Sequence, residues 1–183
     1  MDINPKFIYE GGDRGWKGDI PIVRLNTNKI RKLGWSNKYS SKEAIKLSLK
    51  AVGVKPGDEV IVPTLTFISP VNAISYNGAR PIFMDCDDYY NLDAEKTIEF
   101  IKSETVFKNG FTYNKTTKKR IPAIVLVHVW GNAVWMDNLV PFCEERNISV
   151  VEDASESLGS FYNKGKYKNK HTGTIGKFGC LSF

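Results

Sequence analysis

Four short apolar runs, Glu59–Val62, Pro81–Met84, Ala123–Val127 and Ile148–Val151, each separated from the next by a stretch of helical or loop character, constrain this chain more than any other feature. Runs this apolar have no polar face to turn toward water, so they must be covered on both sides. Crossover segments that supply the cover leave successive strands parallel. The expected fold is therefore α/β, a three-layer arrangement with a mostly parallel sheet and helices on both faces.

The punctuation between the runs agrees with that expectation. The spacing predicts a short helix over Thr27–Leu33 ended by Gly34, and a stronger one over Lys42–Val52, begun by Ser40 or Ser41 and followed by Gly53. Further helices are expected over Ser69–Tyr76, with Pro70 in the first turn, from Asp93 as cap to about Lys102, and over Trp135–Arg146. Ser103–Arg120 has no apolar period and reads as a hairpin or flap, and Gly179–Phe183 reads as a last strand. A doubly wound sheet rarely finishes on an uncovered apolar strand, so the chain is expected to be a fragment.

Composition removes several function classes. The net charge of +6 is modest, and the lysine clusters at Lys115–Arg120 and Lys164–Lys170 lack the aromatic interleaving of a nucleic-acid reader, so no nucleic-acid partner is expected. Cys86, Cys143 and Cys180 are odd in number and widely spaced, which suggests neither a disulfide frame nor a zinc site. With only His128 and His171 as histidines, a histidine-based metal centre has little support. No apolar run approaches a membrane span and no leader opens the chain, so a reducing, cytoplasmic setting away from the membrane is expected. Glycine-rich dinucleotide, P-loop, nucleophile-elbow and zincin motifs are all missing.

Attention then falls on Ile148-Ser-Val-Val-Glu-Asp-Ala-Ser-Glu-Ser-Leu-Gly159, a strand that runs straight into Glu152 and Asp153. Open α/β sheets hold ligands in the crevice beyond the strand C-termini. Asp153 is thus the leading candidate for chemistry, with a plain capping role as the alternative. Other strand-end groups are Asp85, the hydroxyls of Thr64, Thr66, Ser155, Ser157 and Ser182, and His128, which is read as structural.

Several motifs occur in order: Pro56-Gly-Asp-Glu-Val-Ile-Val-Pro-Thr-Leu-Thr-Phe67, Gly78-Ala-Arg-Pro81, Val127-His-Val-Trp-Gly131, Glu152-Asp-Ala-Ser-Glu-Ser-Leu-Gly159 and Thr172-Gly-Thr-Ile-Gly176. From about Leu47 to Phe183 the chain resembles the large domain of the DegT/DnrJ/EryC1/StrS sugar aminotransferases. The resemblance implies pyridoxal 5'-phosphate as cofactor, a 4-keto-6-deoxy sugar carried on UDP or a similar nucleotide, glutamate as amino donor, and a homodimer. It also implies roles: Asp153 for the pyridine nitrogen, Phe67 for stacking on the ring, Glu156 near the ring hydroxyl where many members have glutamine, and Ser182 for the phosphate. Ser41 and Lys42 align with the family's phosphate-binding turn but lack its glycine. The lysine that carries the cofactor in the family falls beyond Phe183, so no catalytic residue is assigned and the chain is expected to be truncated and inactive.

The head of the chain differs. Gly12-Asp-Arg-Gly-Trp-Lys-Gly-Asp19 and Asn28-Lys-Ile-Arg-Lys-Leu-Gly-Trp35 resemble the C-terminal tail of an extended short-chain dehydrogenase acting on nucleotide sugars, an epimerase or dehydratase. In that family the arginine ahead of the Gly-Asp pair, here Arg14, contacts nucleotide phosphate. Residues 1–46 are accordingly expected to be such a tail and residues 47–183 a partial aminotransferase domain. The alternative function is a non-catalytic nucleotide-sugar-binding or interaction remnant, or a short-chain dehydrogenase-type epimerase or dehydratase tail.

Overall fold

The computed structural model describes residues 28–34, 36, 39 and 41–182, and for Ile30, Ser41 and Lys42 only the backbone. Two compact units divide at residue 38. The first contributes the short helix α1 (Asn28–Arg31), closed by Gly34 at φ +83°, whose N–H reaches the Arg31 carbonyl at 3.0 Å. Thr27 and Arg14 lie outside the described residues.

The second unit, from Tyr39, holds the sheet. Its elements are α2 (Ser41–Ala51), β1 (Glu59–Pro63), α3 (Ile68–Tyr76), β2 (Arg80–Met84), α4 (Ala94–Glu104), β3 (Thr105–Lys108), β4 (Phe111–Asn114), β5 (Ala123–Val127), α5 (Leu139–Glu145), β6 (Ser149–Asp153) and β7 (Phe178–Cys180). Five strands run in the order β2-β1-β5-β6-β7, every neighbour parallel. Alternation along each strand divides the core in two. Val60, Val62, Ala123, Val125, Val127 and Val151 pack with Ile45 and Leu49 of α2 and Ala73 and Ile74 of α3. Ile61, Ile124, Leu126 and Val150 face the other way, onto Ile101 of α4 and Leu139, Val140 and Cys143 of α5. This is the expected three-layer α/β arrangement. Among the described residues no helix is long and apolar enough to cross a membrane.

Asp93 caps α4 as its spacing suggests, its Oδ1 accepting the N–H groups of Glu95 and Lys96, both at 3.0 Å. Three sequence expectations are corrected. The helix expected over Trp135–Arg146 is shorter, Leu139–Glu145. Pro141 explains this, because a helix begun at Trp135 would put its N–H-less ring in the interior, whereas starting at Leu139 keeps it in the first turn. The strand expected over Ile148–Val151 shifts to Ser149–Asp153, so both acids are still in register with the sheet: Leu126 pairs with Glu152 and Val127 with Asp153. The last strand ends at Cys180, leaving Ser182 beyond it.

The polar excursion is a hairpin. β3 and β4 pair antiparallel around Asn109 and Gly110, both at positive φ (53° and 78°), the backbone of a two-residue primed turn. It is tied to the N-terminal edge of the sheet: Thr112 donates to the Arg146 carbonyl at 2.6 Å, Asn147 to that of Gly110 at 2.7 Å, and Asn114 to Glu59 at 3.0 Å. Arg120, where the excursion rejoins the sheet, pairs with Asp58 at 2.5 Å and donates to the Gly53 carbonyl at 2.6 Å.

Candidate functional site

With all five strands parallel, the loops that follow them gather at one edge. The chain steps from β1 to β2 on one side and then returns to place β5 on the other side of β1. At that switch point the loops after β1 and β5 diverge and leave a crevice. Two adjoining clefts open there. One, of about 190 Å³, is lined by Leu65, Thr66, Phe67, Val127, Val129, Trp130 and Glu156. The other, of about 320 Å³, is lined by Phe67, Ser69, Val127, Asp153, Ser155, Glu156 and Ser182.

Asp153 is 4% exposed, at the C-terminal end of β6. Its Oδ1 accepts the Ser155 N–H at 3.1 Å and the Ser155 hydroxyl at 2.5 Å. Burial nevertheless pushes its carboxyl above the ordinary aspartate value, with the Ser155 bonds and His128 acting against it and Glu156 adding to it. The capping alternative is thus met in part, since Asp153 does hold the Ser155 amide. It also lines the cleft.

Phe67 sits at the N-cap of α3 with two-thirds of its surface exposed and forms a wall shared by both clefts. Glu156 reaches across to accept the backbone N–H of Trp130 at 2.7 Å. That bond steadies an unusual turn: Trp130 is left-handed at φ 51°, a conformation that disfavours a side-chain-bearing residue, and Gly131 follows at φ 83°. Ser182 lines the same cleft as Asp153. Ser41 opens α2, but its side chain and that of Lys42 lie outside the described set. Asp153, Glu156, Phe67 and Ser182 are therefore brought together, and no such statement is made of Ser41, Lys42 or Arg14.

Glu152 went unassigned in the sequence reading, yet it is the most heavily bonded side chain near the site. It is fully buried, on the α4/α5 side of β6 rather than the cleft side. One oxygen accepts from His128 Nε2 at 2.9 Å and Gly173 N–H at 2.8 Å; the other accepts from Ile175 N–H at 2.8 Å and Gly176 N–H at 2.5 Å. Val134 N–H donates to His128 Nδ1 at 3.1 Å, so His128 carries its proton on Nε2 and gives it to Glu152. Burial is the largest influence on Glu152 and pushes its carboxyl up. The His128 bond and the Gly176 and Gly173 amides outweigh it, leaving the group below the ordinary glutamate value. The signal for this role was the period of two: consecutive acids on one strand must point to opposite faces, so only one of Glu152 and Asp153 could enter the cleft. The anchored turn then leads to β7, where a side chain at Gly179 would strike the Gly173 carbonyl.

Comparison with known proteins places this geometry. The chain is 41% identical over 140 residues to the GDP-perosamine synthase of Escherichia coli O157:H7, covering 76% of this chain and 33% of that protein. It is 34% identical over 145 residues to the putative pyridoxal phosphate-dependent aminotransferase EpsN of Bacillus subtilis, covering 79% and 34%. Among solved structures it resembles a DegT DnrJ EryC1 StrS aminotransferase from Brucella abortus, with TM-score 0.59, 26% identity and coverage of 72% and 34%. It also resembles a GDP-4-keto-6-deoxymannose-3-dehydratase with bound GDP-perosamine, with TM-score 0.58, 28% identity and coverage of 75% and 32%. The chain spans about a third of the length of these curated relatives. Residues 39–183 match the model of the DegT/DnrJ/EryC1/StrS aminotransferase family, to which this chain belongs.

Proposed function

We propose that this chain is the cofactor-binding part of a pyridoxal 5'-phosphate-dependent aminotransferase for a nucleotide sugar. The observation that carries the reading is the buried Asp153 carboxyl, raised by desolvation and lining a cleft whose other walls are Phe67 and Val127. A flat heteroaromatic ring with a protonated nitrogen fits that donor set, because the ring meets apolar faces while its N–H gives a desolvated carboxylate the cation it lacks. When bound, the cofactor would supply an electron sink for the substrate carbon from which a proton is removed.

The chain's own residues would then divide the work. Asp153, oriented by Ser155, holds the proton on the ring nitrogen. Phe67 limits tilt by contact with the ring face. Glu156, fixed by the Trp130 amide, closes one side near the ring hydroxyl. Ser182, with Ser41 and Lys42 at the start of α2, provides polar groups for the phosphate. Matches to GDP-perosamine synthases support a nucleotide-linked sugar as substrate, and the proposal takes its 4-keto-6-deoxy form as acceptor and glutamate as donor. Exposed Phe67, Ile68, Tyr90 and Trp130 near the cleft support a homodimer, which sedimentation equilibrium would test: a monomer at all concentrations would count against it. We read residues 1–46 as a dehydrogenase-type tail bearing Arg14 and residues 47–183 as the partial aminotransferase domain. That division fails if a chain begun at Tyr39 binds GDP as tightly as one begun at Met1.

Among the described residues no lysine lines either cleft. In this reading the cofactor is held by this chain without a covalent link and a keto sugar is left unaminated. Incubation with pyridoxal phosphate, borohydride reduction and peptide mapping should find no single modified lysine. Stoichiometric labelling of one lysine, or amino transfer from glutamate, would refute the inactivity and leave the cofactor assignment standing.

A further inference from the structure

A cavity larger than either of the clefts just assigned lies outside them. It is a groove of about 690 Å³ between the loop after β2, the turn after β5 and the segment after β6, in the range of small-molecule sites. Four aromatic residues line it, and apart from the buried Tyr162 they are exposed, Tyr89 (72%), Phe161 (61%) and Trp135 (39%), an unusual amount of ring surface to leave toward water in one place. Between them stand Asp87, Asn132, Asn163 and Lys164. We propose that this groove binds a neutral hexopyranose ring, as a sugar subsite separate from the Asp153 cleft.

The lining selects that ligand class. A pyranose ring has one face of axial C–H groups that packs on aromatic rings, and a rim of hydroxyls that both donate and accept. Asparagine amides and an aspartate suit such a rim, since each offers two polar atoms in a plane. A phosphate would need convergent positive charge. Here Lys164 is offset by Asp87, and its Nζ lies 5.4 Å from the Trp135 ring centre. A wholly apolar ligand would strand the amides without partners.

The walls are built before any ligand arrives. Asp87 Oδ1 accepts the N–H groups of Tyr89 at 2.9 Å and Asn91 at 3.0 Å, which shapes the loop that presents Tyr89. Asn91 accepts the Val129 N–H at 3.2 Å, and Ser160 donates to the Gly131 carbonyl at 3.0 Å, tying the floor to the left-handed Trp130-Gly131 turn. Asp137 accepts the Lys166 N–H at 2.8 Å, holding the turn that carries Asn163 and Lys164. Trp130 lines the cleft beside Asp153 while Gly131 lines this groove, so one rigid turn borders both.

Saturation-transfer NMR on the full 183-residue chain tests the assignment. The probes are the methyl pyranosides of mannose, glucose and galactose, with GDP-mannose and GDP alone. At least one methyl pyranoside should bind, and Tyr89→Ala, at the most exposed ring, should weaken it at least threefold while circular dichroism stays that of the parent. Asn163→Ala, on the opposite wall, should weaken it too, and Asp153→Asn should leave it unchanged. Tighter binding of GDP-mannose than of the methyl glycoside would assign the ring to a nucleotide sugar, and equal binding to a free glycan end; both support the subsite. No pyranoside binding, binding indifferent to both groove variants, loss in Asp153→Asn, or displacement of the glycoside by GDP alone would overturn it. Because Asp153→Asn is the variant that disables the proposed cofactor cleft, failure of one assignment does not imply failure of the other.

Discussion

Glu152→Ala is expected to cost about 3–5 kcal/mol of folding stability, since each buried donor left without a partner costs about 1–3 kcal/mol and part of that is recovered by relaxation or water. Four donors converge on this carboxylate, from His128, Gly173, Ile175 and Gly176, and alanine would leave all four facing a void. Glu152→Gln keeps the volume but puts an NH2 group where only acceptors are wanted, so a smaller loss of ~1–3 kcal/mol is expected. Urea denaturation of the two variants measures both, and a loss under about 1 kcal/mol for alanine would show that the turn 173–176 stands without its anchor. The pH dependence has a definite sign. The folded carboxyl is held below its ordinary value, so its contribution is present above the unfolded glutamate value of about 4.3 and disappears as pH falls through the folded one. Acid should therefore release the 173–176 turn, and with it β7, and Glu152→Gln should flatten that part of the stability profile.

Asp153→Asn is expected to move stability and binding in opposite directions. The folded Asp153 carboxyl lies above its ordinary value, chiefly through burial, so its ionised form costs stability at neutral pH. Asparagine removes that cost and can still accept the Ser155 N–H. The variant should unfold at a higher temperature than the parent at pH 7. The gain should shrink as pH falls and vanish below the unfolded aspartate value of about 3.9, because there the parent is protonated in both states. Binding of pyridoxal phosphate should weaken by about 10- to 100-fold, the equivalent of ~1.5–3 kcal/mol for a hydrogen bond between charged groups. Fluorescence titration with the cofactor, beside thermal melts across pH, gives both readings. A variant that lost stability together with affinity would be damaged rather than uncharged, and unchanged affinity would remove Asp153 from the cofactor's nitrogen.

Particular residues show why some of this was legible in the sequence. The apolar runs at Val60–Val62, Ala123–Val127 and Val150–Val151 announced a buried parallel sheet because no other arrangement hides both faces of such strands. Asp93 announced its helix because capping is local chemistry. Ser103–Arg120 was legible as a hairpin or flap from its missing apolar period, and Asn109-Gly110, an equally local turn signal, decides for the hairpin. Pro141 carried the information that shortened α5, and the apolar period before it was allowed to outweigh the proline. Glu152 and the Trp130 turn were harder. Their meaning depends on donors 21 to 26 residues away in the chain, from Gly173, Ile175 and Gly176 to the one and between Trp130 and Glu156 for the other. No short window contains both partners.

The β3–β4 hairpin grows out of the end of α4, where Thr105 donates to the Ile101 carbonyl, and is otherwise bonded to the start of β1, the end of α5 and the residues that precede β5 and β6, all at the edge opposite the clefts. Its root is clamped by Arg120 and Asp58 just before the chain re-enters the sheet. Change in its length or composition is thereby insulated from the chemistry, so this appendage can diverge, lengthen or acquire a separate role at its tip while the strand ends that carry Asp153 stay where they are.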